Sequence, residues 1–107
     1  SMDAIRSTMS RYAKRSNEIL NAEYITKQKC STMIRQVTEE FGVQKISKAN
    51  IVSNNQMLQC LTMLLKKDHP EKGVLRRLLA GHSIAISTGG NLHLGDDGSI
   101  MIPWNLS

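Results

Sequence analysis

The sequence predicts an α+β domain with N-terminal amphipathic helices, a helix-turn-helix pair and a C-terminal three-stranded antiparallel β-meander. Three observations carry this expectation. Apolar residues recur at steps of three and four as far as Leu79, the period changes to two from Ile84 onward, and glycine-containing pairs stand at the joins of the second half.

The first stripe runs Ile5, Met9, Tyr12, Ser16, Ile19, Ala22, Thr26, Cys30, Met33, Val37, Phe41, and Gly42 follows where a helix C-terminus belongs. A continuous helix from Asp3 to Phe41 would be roughly 58 Å long at 1.5 Å per residue. A compact domain of this size has a radius of gyration of about 13 Å, so such a helix must either project or break. Asn17 and Asn21 are poor helix-interior residues, and Asn21 can cap a second helix with Glu23 in its first turn, which favours two helices.

Residues 43–52 read as a connector. Ser53-Asn54-Asn55-Gln56 is a capping box, flanked by Val52 and Met57 as a hydrophobic staple. Met57, Leu58, Leu61, Leu64 and Leu65 then form one face, with Lys66 and Lys67 in the last turn, where the helix dipole favours cations. Pro70 suits the first turn of a further helix over residues 70–80, which buries Val74, Leu75, Leu78 and Leu79 before Gly81. Ile84 and Ile86, Leu92 and Leu94, and Ile100 and Ile102 then alternate with small or polar residues around Gly89-Gly90 and Asp97-Gly98 turns. That pattern predicts Ile86, Leu94 and Ile102 facing Leu61, Leu65 and Leu78. Ser83, Ala85, Ser87, His93 and Ser99 fall on the opposite sheet face.

At 107 residues the chain is one domain, residues 2–107, with Ser1 read as left by tag removal and residues 3–21 as the segment that would project for oligomerisation. Aromatic residues are only 4%, so the core must be built from Leu, Ile, Val and Met. No apolar run approaches the 18 or so residues of a membrane span, and no membrane partner is expected. Two cysteines on apolar helix faces point to an intracellular compartment, nucleus and cytoplasm being indistinguishable.

Candidate chemistry is sparse. Cys30, Cys60, His69, His82 and His93 include no close C-x₂-C or H-x₃₋₅-H pair, so no metal or other cofactor is expected. No G-x-S-x-G turn or phosphate loop occurs, and His93, Asp96 and Asp97 are better read as part of a hairpin than as an acid–base pair. No enzyme is expected. Lys plus Arg exceed Asp plus Glu by 14 to 9, a net charge of +5 with a pI near 9.5. That balance favours a polyanionic partner, DNA or RNA. Lys72, Arg76 and Arg77 fall on the expected solvent side of the last helix, and Arg11, Lys14 and Arg15 form a second cluster on the first. The expected function is a non-enzymatic interaction module of a nucleic-acid-associated assembly, gripping phosphates through a basic helix. The alternative is an oligomerisation or scaffold domain that pairs with a copy of itself or a partner protein through Ile5, Met9, Tyr12 and Ile19.

The order of helices, helix-turn-helix and β-hairpin resembles the layout of winged-helix domains. That resemblance implies a recognition helix over residues 70–80 and a wing over residues 89–98. No strand is evident between the first helices, and three strands exceed the usual wing.

Overall fold

The computed structural model describes residues 1–15 and 27–106. Helices α1 (Met2–Arg15) and α2 (Lys27–Phe41) precede strand β1 (Lys45–Lys48). Helices α3 (Asn54–Leu64) and α4 (Lys72–Leu79) follow, and then strands β2 (Ser83–Ser87), β3 (His93–Leu94) and β4 (Ile100–Pro103). The class is α+β, with a four-stranded mixed sheet in the order β1-β2-β4-β3. The break expected at residues 17–21, and Ile19 with it, lie outside the described residues.

Local signals set most helix ends. Gly42 terminates α2 with φ +64°, its N–H donating to the Thr38 carbonyl at 3.0 Å. Both halves of the capping box start α3: the Gln56 N–H donates to the Ser53 hydroxyl at 3.1 Å, and the Ser53 N–H to the Gln56 side chain at 2.9 Å. Two expectations shift by a few residues. Helix α3 stops at Leu64, so Lys66 and Lys67 lie in the turn beyond it, and α4 begins at Lys72 rather than at Pro70. The N–H of Gly81 donates to the Gly42 carbonyl at 2.8 Å, which ties the ends of α4 and α2 together.

The expected meander is corrected. Strand β2 pairs in parallel with both β1 and β4, and among the described residues the antiparallel hairpin is that of β3 and β4, around Asp97-Gly98. After Gly90 the chain does not turn back beside β2. It buries Leu92 in the core and reaches the far edge of the sheet, so the wing expected over residues 89–98 is not a hairpin with β2. Period two defines which side chains share a face, not which strand lies alongside; a central strand with parallel neighbours has the same alternation. Leu94, expected inside, is therefore 54% exposed at the edge, and Leu92 takes the core position. Ile84, Ile86, Ile100 and Ile102 are buried as expected, with Leu61, Leu64, Leu75 and Leu79 in the same core. Ala85, Ser87 and Ser99, expected on an open polar face, are buried as well.

The N-terminal stripe belongs to this same core. Ile5, Met9 and Tyr12 are at most 3% exposed within their own chain, and α1 packs along α4 and near β3. Residues 3–15 therefore do not project, and the three side chains expected to pair between copies are covered by their own domain. Arg6 fastens the start of the helix, its Nε donating to the Leu92 carbonyl at 2.9 Å. With α1 folded in, the radius of gyration is 12.6 Å. No helix among the described residues is long and apolar enough to cross a membrane.

Candidate nucleic-acid interface

The end of α1 and the turn between α3 and α4 are joined by two rings. The buried Tyr12 hydroxyl donates to the Leu64 carbonyl at 2.9 Å, satisfying a group that the C-terminus of α3 leaves without a helical partner. The His69 ring stacks on that of Tyr12, with centroids 3.8 Å apart. Its Nδ1 accepts the Glu71 N–H at 3.0 Å, so Nε2 carries the proton and donates to the Tyr12 carbonyl at 2.9 Å. Asp68, in the left-handed region at φ +59°, turns the chain into this position; an acidic side chain tolerates that conformation better than a branched one. Burial pushes the Tyr12 phenol well above its ordinary range, with Glu40 adding to the shift, so the group remains a neutral donor.

This joint sets the last turn of α1 beside the turn between α3 and α4, and both segments carry cations. Lys14 and Arg15 lie exposed in the last turn of α1, immediately beyond Tyr12. Lys66 and exposed Lys67 lie between Leu64 and His69. Lys67 also lines an open groove of about 570 Å³ together with Gln36, Glu39, Glu40, Leu65 and Lys72.

The cations of α4 are divided between the inside and the surface. Lys72, expected on the solvent side, is buried: its ammonium donates to the Lys66 carbonyl at 2.9 Å, pairs with Glu40 and sits 5.9 Å from the centre of the Phe41 ring. Helix α4 packs against both α1 and the end of α2, so its apolar-versus-polar wheel has two covered flanks rather than one. Arg76, half exposed, donates to the same Glu40 carboxylate at 3.0 Å. Burial raises the Glu40 pKa, but its hydrogen bonds to Lys72 and Arg76 and their charges outweigh that and hold the carboxyl below the usual range. Arg77 is exposed on the solvent side, as expected. In the other cluster, Arg11 is taken up by Glu71 at 3.0 Å and by Ser7 and Thr8.

Of the six cations singled out by sequence, the structure thus leaves Lys14, Arg15 and Arg77 turned outward and commits Lys72, Arg76 and Arg11 to carboxylates of the chain itself. The sequence pattern assigns Lys67 to the last turn of α3, whereas α3 stops at Leu64 and Lys67 is an exposed cation of the turn beyond it. His69 had no sequence signal at all, since its role depends on a contact 57 positions away. Among the described residues no three His, Cys, Asp or Glu side chains gather where a metal ion could be held. Cys60 is buried in the core, its thiol pushed up to about 12 by desolvation, and burial also raises Cys30.

No curated protein matches this sequence. A family described as a domain of unknown function, DUF4461, matches residues 1–107, the whole length given. The chain belongs to that DUF4461 family.

Proposed function

We propose that the chain is a non-enzymatic module that binds the phosphate backbone of nucleic acid through the end built by the Tyr12–His69 joint, with Lys14, Arg15 and Lys67 as contacts and Arg77 flanking them on α4. The joint carries this reading: it brings together exposed cations from two distant stretches of sequence, while Glu40 neutralises Lys72 and Arg76 of the competing cluster on α4. The net charge of +5 supports it as well. Lysine and arginine contacts to phosphates carry no sequence information of their own, so binding is electrostatic and weakly selective for sequence.

The test is fluorescence anisotropy of duplex and single-stranded probes across a salt series. On duplex DNA, log K should fall with log salt by about 0.9 per phosphate neutralised. Replacing Lys14, Arg15 and Lys67 with Ala should therefore flatten the slope by about 2 to 3. Failure of both probes to bind at low salt, or a triple variant that binds as wild type, would refute the proposal.

A further inference from the structure

The groove that Lys67 borders is walled by Gln36, Glu39 and Glu40 of α2, by Leu65 and Lys67 of the turn after α3, and by Lys72 at the start of α4. Its volume of about 570 Å³ lies in the range of small-molecule sites. Glu40 and Lys72 are spent on the fold, since they pair with each other and Arg76 joins the same carboxylate. Among the described residues no hydrogen bond or ion pair engages Gln36, Glu39 or Lys67, and all three are exposed. Gln36 and Glu39 stand three residues apart on α2 and so project side by side. The groove therefore offers a carboxylate that only accepts, an amide that both donates and accepts, and an ammonium that only donates. Half-buried Leu65 adds apolar surface.

A free carboxylate works against phosphate binding at the neighbouring Lys67 unless the same ligand brings it hydrogen-bond donors. Guanine alone among the common bases sets two donors side by side on its pairing edge, N1–H and the N2 amino group, with the O6 acceptor next to them. Adenine and cytosine each present a ring-nitrogen acceptor there, which a carboxylate repels. Thymine and uracil present one N–H between two carbonyls.

We infer that this groove holds one unpaired guanine of a single-stranded nucleic acid. Glu39 accepts from N1–H and N2–H, the Gln36 amide donates to O6, the ring lies on Leu65, and Lys67 meets a flanking phosphate. The guanine site rests on the phosphate-binding reading of Lys67 and deepens it. Bases of a duplex have their pairing edges occupied, so weak selectivity on duplex DNA and guanine selectivity on single strands go together.

The experiment is fluorescence anisotropy of labelled single-stranded decamers with the full chain at low salt. One strand is all thymine, and the others carry a central guanine, adenine, or inosine, which lacks the N2 amino group. The guanine strand should bind about tenfold more tightly than all thymine, as expected for one good bidentate base contact, and inosine and adenine should lose most of that gain. Glu39→Gln should bring the guanine and thymine strands to within about twofold of each other. Paired with their complements, the guanine and all-thymine probes should bind alike. Equal binding of those two single strands would overturn the guanine site and leave the phosphate reading standing, whereas binding of neither would overturn both. A preference that inosine keeps in full, or that persists in Glu39→Gln shown by circular dichroism to be folded, would also overturn the site. Should Glu39→Gln fail to fold, the inosine strand on the wild-type chain decides the matter.

Discussion

Where α1 meets residues 64–71, the inward polar groups are matched: the Tyr12 hydroxyl has the Leu64 carbonyl, both nitrogens of His69 have backbone partners, and the Lys72 ammonium has Glu40 and the Lys66 carbonyl. At the β1 edge the situation differs, because among the described residues the strand is paired on one side alone, with β2, and a mainly apolar cavity of about 240 Å³ lies against it. The difference shows that cation-rich composition is not itself a surface property. Lys72 and Arg77 stand five residues apart on one helix, yet the first holds α4 to α2 and the second meets solvent. Burial and carboxylate neighbours decide which positive charges remain for a partner.

The sharpest way to break this comparison is to remove the joint. Tyr12→Ala should cost about 3 to 5 kcal/mol in chemical denaturation, since it empties a large core site and strips the Leu64 carbonyl of its donor. Tyr12→Lys should unfold the chain rather than produce a folded monomer, because the stripe on α1 faces its own core. A folded Tyr12→Lys variant would show that α1 is not needed for the core.

The sheet offers the next contrast. Ile86→Ala should cost about 2 to 5 kcal/mol, whereas Leu94→Ala should stay within about 0.5 kcal/mol, because the one is wholly buried and the other lies exposed at the edge. Equal losses would favour the antiparallel meander that period two alone suggested.

Glu40→Gln should destabilise by about 1 to 3 kcal/mol, since it leaves the buried Lys72 ammonium without its carboxylate. The pH dependence has a definite sign. A carboxyl held below its unfolded value stabilises fully above the unfolded pKa, about 4.3 for Glu, and loses that contribution as pH falls through the folded value. The wild-type unfolding midpoint should therefore fall on acidification below about pH 4.3, and the Gln variant should show a shallower fall. The smallest effect is expected at Ser87, whose hydroxyl is buried with no hydrogen-bond partner among the described residues. Ser87→Ala should be neutral or stabilising by up to about 1 kcal/mol, read as a change in thermal midpoint.

Features governed by nearby residues were legible in the sequence. The Ser53–Gln56 capping box, the glycine stops at Gly42 and Gly81, and the Asp97-Gly98 hairpin each arise from a few adjacent residues, and each formed where the pattern placed it. Strand β1 was missed because Lys-Ile-Ser-Lys offers a single apolar residue and therefore no alternation to read. Its parallel partner lies 38 positions away, at Ile84 for Ile46, and no turn signal connects the two. The basic clusters were visible as composition, but their division into paired and solvent-facing cations depended on Glu40, 32 positions before Lys72, and on Glu71, 60 positions after Arg11.

That division is tested most directly by measuring the salt slope of duplex binding and the unfolding midpoint together for two variants, K14A/R15A/K67A and K72A/R76A. The first should keep its midpoint and lose about 2 to 3 units of slope. The second should lose stability and, in conditions where it remains folded, keep the wild-type slope. The opposite result, with the slope lost in K72A/R76A and retained in the first variant, would contradict the account.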